Sequence, residues 1–275
     1  MRICLITPRP DHPLLSATAA LLTPRHQVES LAPDAADGPP EDLVASGALA
    51  DVYLLKARTP RSLALARSLE KRGAPVVNSA AATALCQDRT AMAALARSAG
   101  LPFASTRTVP ELRRLTAETE SVFPFVVKSR HSRRHDLVAR VDDAGRLGAL
   151  AEAWPDEPVV VQPYTANSGW DHKLWVIADQ VFCALRRSEL ADGGRGPTLP
   201  LALGDLPGGW PDLVRRVGSV FALEVYGVDL IDAGDGVPLI VDINAFPGVR
   251  GQAGAPEALA ALALRSAERG AAAAR

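Results

Sequence analysis

From Tyr226 to Gly248 the chain holds two strand-length apolar runs joined by a turn, and acidic residues interrupt both runs. Residues 226–232 read as one strand, and 233–238, with Gly234, Asp235, Gly236 and Pro238, read as the turn of a hairpin. Such a hairpin buries one face and leaves the other to polar side chains. Asp242 and Asn244 are two residues apart, so they share a face, while Val241 and Ile243 are expected to point to the core. If Asp232 lies opposite Leu239, then Asp229 lies opposite Asp242. Carboxylates facing each other across strands repel. A hard cation between them, with phosphate oxygens completing its shell, relieves that repulsion. Asp229, Asp242 and Asn244 are therefore candidate ligands for Mg²⁺ bound with a nucleotide. The plainer reading, polar residues on the wet face of an antiparallel sheet, is opposed by the facing acid and by the sharp exit Phe246-Pro247-Gly248.

With 275 residues, 48% of them hydrophobic, and a net charge of −1, the chain is long enough for one to three domains. The near-neutral balance argues against a nucleic-acid partner held by bulk charge. No run is long and apolar enough to suggest a membrane span, and the apolar start Ile3 to Ile6 ends at Pro8, too short for a signal peptide. A cytoplasmic location is expected. Cys4, Cys86 and Cys183 are widely spaced and read as small buried hydrophobes.

Of 30 basic residues only four are lysines, at 56, 71, 128 and 173. A chain this rich in arginine is expected to keep lysine where a compact ammonium serves better than a planar fork, as on a phosphate. Lys128 and Lys173 are the candidates. Lys71, beside Arg72 on a helix, reads as a surface charge.

The first 80 or so residues alternate strand and helix: strands at 2–7, 27–31, 51–57 and 75–78, helices at 14–22 and 61–72, which predicts a small parallel α/β unit. Asp88 is a predicted N-cap for a helix to Ala99. Strands follow at 123–129 and 137–141, connected by Arg130-His131-Ser132-Arg133-Arg134-His135-Asp136, a basic stretch that either covers phosphates or is a solvated turn. A helix is predicted at 142–153, and a buried strand from Val159 ends in the polar break Gln162-Pro163-Tyr164. A hairpin over 171–187 carries Lys173, Arg186 and Arg187. Helices at 211–223 and 257–269 close the pattern, with fraying expected from Gly270 to Arg275.

In this order the segments Val77-Asn78-Ser79, Cys86-Gln87-Asp88-Arg89, Val126-Val127-Lys128, Val161-Gln162-Pro163-Tyr164, Asp171-His172-Lys173, Gly227-Val228-Asp229 and Asp242-Ile243-Asn244 with Phe246-Pro247-Gly248 resemble the ATP-grasp superfamily over essentially the whole chain. The likeness extends to RimK-type glutamate ligases and, in the last motif, to inositol polyphosphate 1-kinases. The resemblance implies an α/β (α+β) chain with the ATP-grasp fold: an N-terminal parallel α/β domain (1–85), a central subdomain (86–160) and a C-terminal subdomain with the metal site (161–275), the last two clasping ATP. It implies that Arg89 and Lys128 contact phosphates, that Gln162, Pro163 and Tyr164 hold adenine, and that Lys173 sits by the ribose or reacting phosphate. Arg187 would reach the transferred phosphoryl, and Asp229, Asp242 and Asn244 would hold Mg²⁺ or Mn²⁺.

Three departures qualify the likeness. Residues 129–136 lack the usual phosphate-covering glycines, so Arg130, His131, Arg133 and Arg134 are expected to act on phosphates by charge or to bind a substrate carboxylate. Arg250 stands where many members have an acid, which suggests an anionic acceptor and adds it to the catalytic candidates. The stretch Gly193-Gly194-Arg195-Gly196 is short for a ligase loop. The resemblance implies an ATP-dependent carboxylate–amine ligase joining an amino acid or small peptide, with glutamate a natural partner, to an amine through an acyl phosphate. A small-molecule kinase of the inositol-phosphate type is the alternative, and a non-catalytic nucleotide binder a third. Many relatives are dimers or tetramers, so a homo-oligomer is possible.

Overall fold

A computed structural model describes residues 1–35, 37–44, 48–118, 122–191 and 196–273. Three sheets organise it. The first is built from β1 (Arg2–Ile6), α1 (Pro13–Leu22), β2 (Gln27–Leu31), β3 (Val52–Leu55), α2 (Pro60–Lys71) and β4 (Val76–Val77), with parallel strands in the order β2-β1-β3-β4. β1 and β3 are apolar on both faces, as parallel strands covered by helices must be. Ile3, Leu5, Val52 and Leu54 face one core and Cys4, Ile6, Tyr53 and Leu55 the other.

α3 (Ala80–Leu85) and α4 (Arg89–Ser98) follow. Asp88 caps α4 as predicted, its Oδ1 accepting from the amides of Thr90 (2.9 Å) and Ala91 (3.3 Å). The second sheet takes β5 (Arg107–Val109), β6 (Phe125–Ser129), β7 (Val138–Val141) and β8 (Val159–Pro163), with α5 (Ala144–Ala153) on one face. Its order is β5-β8-β6-β7, all antiparallel. Period-two alternation along β6 sends Phe125 and Val127 into the core under α5 and leaves Val126 and Lys128 on the other face.

The third sheet is an antiparallel array of β9 (Trp170–Ile177), β10 (Gln180–Arg187), β11 (Thr198–Pro200), β12 (Val225–Asp232) and β13 (Pro238–Ala245), in the order β11-β10-β9-β12-β13. Leu174, Val176, Val228, Leu230, Ile240 and Ile243 form its core face, packed against α4 and α6 (Trp210–Phe221). Asn78, just past β4, ties this sheet to the first. Its Nδ2 donates to the Val225 carbonyl (2.6 Å) and its Oδ1 accepts from the amides of Glu224 and Val225.

The last helix, α7 (Ala255–Ala273), returns to pack on the first sheet beside α1. It runs past the predicted end at Arg269, and Gly270 lies so close to Pro75 that a side chain there has no room. In place of the fraying expected from Gly270 the helix continues to Ala273, its last three residues exposed, while 274–275 lie outside the described residues. Residues 193–195 of the short glycine segment also lie outside them. The three cysteines are buried and unbridged. Among the described residues no helix is long and apolar enough to cross a membrane.

Candidate active site

The polar faces of the second and third sheets confront each other across a cleft of about 1090 Å³, and the carboxyl ends of β1 and β3 close its far side. Asp229 lies opposite Asp242, as the hairpin pattern implied, but by a different route. Asp232 pairs with Pro238 rather than Leu239, and a bulge between Asp229/Leu230 and their partners restores the Asp229–Asp242 pairing. The extra residue is Val241. A bulge sets two residues against one, so Ile240 and Ile243 take the core face, and Val241, expected to face the core, instead lines the cleft with Asp242 and Asn244.

The bulge also frees the Val241 carbonyl, which accepts from Lys128 Nζ at 2.7 Å. Lys128 is 6% exposed. Burial pulls its ammonium below the usual lysine range, and Asp242 and Asp229 counter only part of that pull. Lys173, directly across from Asp229 in the β9–β12 ladder, is 3% exposed and bridges Asp229 Oδ2 (2.6 Å) and Asp171 Oδ2 (3.2 Å). The scarce lysines at 128 and 173 thus meet at the hairpin from two different sheets.

Arg89 projects from the first turn of α4 into the same space. Its Nη1 donates to the Ser129 carbonyl (2.8 Å) and Asp136 Oδ2 (2.7 Å), and its Nη2 reaches Asp242 Oδ2 at 3.5 Å. Burial works against its charge, but Asp242 and Asp136 outweigh it and hold the guanidinium firmly protonated. Gln162, Pro163 and Tyr164 line the cleft where β8 ends, with Gln162 Nε2 donating to Thr106 Oγ1 (3.0 Å) and Arg140 stacked 4.1 Å from the Tyr164 ring centre.

In the basic stretch 130–136, Ser132, Arg133, His135 and Asp136 line the cleft, while its arginines have partners within the protein. Arg130 grips Asp88 through Nε and Nη2 (2.7 Å for the closest contact), Arg133 donates to Glu157 (2.7 Å), and Arg134 donates to His135 (3.0 Å). Carboxylates already hold Arg130 and Arg133, so these side chains pin the loop to α4 and to the start of β8. The pairing with Asp88 persists because the Arg130 fork and the α4 amides, opposing the effect of burial, hold that carboxyl below its usual range.

Arg187 also falls elsewhere. Ala184 pairs with Lys173 and Arg186 with Asp171, so alternation along β10 puts Arg186 on the cleft side and turns Arg187, which pairs with Trp170, to the other face. Arg250, past the Pro247-Gly248 turn, does line the cleft. Beside it stand residues without an assigned role in the sequence: His12 and Lys56, from the ends of β1 and β3. Lys56 Nζ donates to the carbonyls of Phe246 (2.9 Å) and Pro247 (3.0 Å). Its signal was present, since it is one of four lysines and directly follows an apolar strand.

Among the described residues no three His, Cys, Asp or Glu side chains come together as a metal cluster. Two facing carboxylates plus the Asn244 amide nonetheless form an all-oxygen set suited to a hard cation that keeps its remaining positions for phosphate or water.

This is the arrangement of an ATP-grasp fold: a parallel α/β layer followed by two antiparallel sheets that face each other across a nucleotide-sized cleft. No family model matches the chain. Solved structures do. A RimK domain ATP-grasp protein from Sphaerobacter thermophilus is 23% identical, with a TM-score of 0.75 over 95% of this chain and 99% of that one. The D-alanine–D-alanine ligase of Bacillus anthracis, 16% identical, superposes with a TM-score of 0.74 over 98% of both chains. The ATP-grasp ligase PsnB bound to a minimal precursor, 19% identical, gives 0.68 over 96% of this chain and 98% of that one. The Bacillus ligase has also been solved with ATP, and PsnB with precursor, Mg and ADP. The chain has the ATP-grasp fold, and the RimK domain protein shares it nearly end to end.

Proposed function

We propose that this protein is an ATP-dependent carboxylate–amine ligase that forms an amide through an acyl phosphate. The observation that carries the reading is the convergence of Asp229, Asp242 and Asn244 with Lys128, Lys173 and Arg89 in one cleft between the second and third sheets. Phosphoryl transfer requires positioning and charge neutralisation far more than covalent help from the protein. ATP would lie between the second and third sheets with its adenine at Gln162, Pro163 and Tyr164. Asp229, Asp242 and Asn244 would hold Mg²⁺, which when bound neutralises charge on the transferring phosphoryl group.

Lys128, fixed on the Val241 carbonyl, would meet phosphate oxygens from the second sheet. Lys173 neutralises Asp171 and Asp229 and sits where the reacting phosphate would arrive. Arg89 keeps Asp242 oriented while tying down the loop at Asp136. A substrate carboxylate attacks the γ-phosphorus and ADP leaves. The amine then captures the acyl phosphate, expelling phosphate. The ligases among the structural neighbours support this class, and the identity of carboxylate and amine, an amino acid such as glutamate being a natural partner, is part of the proposal.

The concentration of Arg9, Lys56, Arg58 and Arg250 on the far wall favours a second reading, a kinase for a polyanionic alcohol. One assay separates the two. With ATP, Mg²⁺ and pools of amino acids and polyols, free phosphate that appears only when carboxylate and amine are both present, together with an amide product, supports the ligase. A product heavier by one phosphoryl group supports the kinase.

A further inference from the structure

The far wall of the cleft has a chemistry of its own. Strand order β2-β1-β3-β4 reverses direction between β1 and β3, and such a switch point leaves a crevice beyond the carboxyl ends of those strands. Arg9 and His12 enter it from the β1–α1 connection, Lys56 and Arg58 from the β3–α2 connection, and Arg250 from the turn after β13. Among the described residues the acids that line the cleft are Asp136, Asp171, Glu189, Asp229 and Asp242, and all belong to the second and third sheets or their connections. Cations predominate on the crevice wall, where Asp11 stands 3.8 Å from Arg9 at the surface.

One side chain there is half-buried and another enclosed. Lys56 directs two of its three protons to the Phe246 and Pro247 carbonyls, which hold the ammonium against the turn that follows the hairpin. His12 is 6% exposed, and its Nδ1 is a buried polar atom with no hydrogen-bond partner. It is the N-cap residue of α1, a helix of ten residues that starts at Pro13. An enclosed imidazole with an orphan nitrogen, an ammonium anchored on two carbonyls and a guanidinium thus share this wall.

We propose that His12, Lys56 and Arg250 form an oxyanion subsite that selects a substrate carrying a carboxylate or phosphate at the end remote from the reacting group. The assignment rests on the reading of the cleft as a nucleotide and substrate site, and it adds the charge of the substrate to that reading. Lys56 and Arg250 are its specificity-determining residues. The His12 ring beside them is neutral, since burial and then the neighbouring Lys56, Arg250 and Arg9, opposed by Asp11, push its pKa down to about 4.

The test is calorimetric titration of the full chain, saturated with Mg²⁺ and a non-hydrolysable ATP analogue, with glutamate against glutamine and with glycerol 3-phosphate against glycerol. One anion should bind at least about tenfold more tightly than its neutral counterpart, the scale of a charge-assisted hydrogen bond. That preference should collapse in Lys56→Met and in Arg250→Gln, with affinity for the ATP analogue retained. Arg250 is exposed, so its variant guards against a folding defect at the half-buried Lys56. Preference for glutamate identifies a carboxylate subsite, and preference for glycerol 3-phosphate a phosphate subsite. Equal affinity for charged and neutral members of both pairs, or a preference that survives both substitutions, overturns the proposal. If the preference holds but hydrolysable ATP yields no amide, the ligase reading fails and the subsite stands.

Discussion

Asp229 and Asp242 face each other across β12 and β13 because Val241 bulges between them and the turn. An unbroken ladder from Asp232 and Pro238 would instead set Val241 opposite Asp229 and Asp242 opposite Val228, and that carboxylate would turn to the core. The same bulge presents the Val241 carbonyl to Lys128. One local irregularity therefore sets both the facing carboxylates and the anchor of Lys128.

Asp242→Ala removes one of the two facing carboxylates and the more distant of the two acidic partners of Arg89. Turnover should fall on the order of a hundred- to a thousandfold, the range for one positioned electrostatic contact. Far-ultraviolet circular dichroism should remain that of the parent. Full activity in this variant would refute the cation assignment.

Lys173→Met leaves Asp171 and Asp229 enclosed without their shared cation. Breaking a buried ion pair from one side costs about 3–5 kcal/mol, so the denaturation midpoint should drop steeply without divalent ions. Mg²⁺ should restore more stability to this variant than to the parent, because it replaces the missing charge at Asp229. Equal Mg²⁺ effects in thermal melts of the two proteins would contradict this.

Lys128→Met should weaken nucleotide binding by about tenfold or more, read by titration with a fluorescent ATP analogue. Lys128→Arg should not rescue it. The site encloses a compact ammonium held at 2.7 Å from a carbonyl, and a planar fork does not fit that geometry.

Asp88→Ala loses the cap of α4 and the anchor of Arg130 together. Stability should fall by about 1–2 kcal/mol in denaturant titrations. The folded-state carboxyl lies below its ordinary range, so its contribution is present above that range and disappears as pH falls through it. The parent and the variant should therefore converge in stability in acid and differ at neutral pH.

Burial, reinforced by Arg58 and Arg250, brings the Lys56 ammonium down to about 8. The groups around it are Arg9, Arg58, Arg250 and a His12 already neutral at that pH. Affinity of the free protein for an anionic substrate should fall as pH rises through about 8, when Lys56 loses its proton. Lys56→Arg should abolish this step in a binding-versus-pH series, because guanidinium stays charged throughout the range.

The strands and helices were legible in the sequence wherever period and caps agreed. Asp88 before an amphipathic run, β1 and β3 as unbroken apolar stretches, and the twin runs around Gly234 and Gly236 each point to one element, because local sterics and burial pattern depend on neighbours in the chain. The scarcity of lysine singled out Lys128 and Lys173 by chemistry alone. Three features were not legible. The bulge at Val241 arises from competition between the turn and the core for register. The engagement of Arg130 and Arg133 with Asp88 and Glu157 depends on which carboxylates the fold brings near. The choice of Arg186 over Arg187 for the cleft follows from the register of β9 with β10.

The sequence alone thus determined the elements, their order, the pair of candidate acids and the unusual lysines, since those depend on residue type and spacing. Only the tertiary structure decided which charges remain available to a ligand. That question is settled by pairings between residues far apart in the chain, such as Lys128 with Val241, Arg89 with Asp136, and Lys56 with Phe246, and no local pattern encodes them.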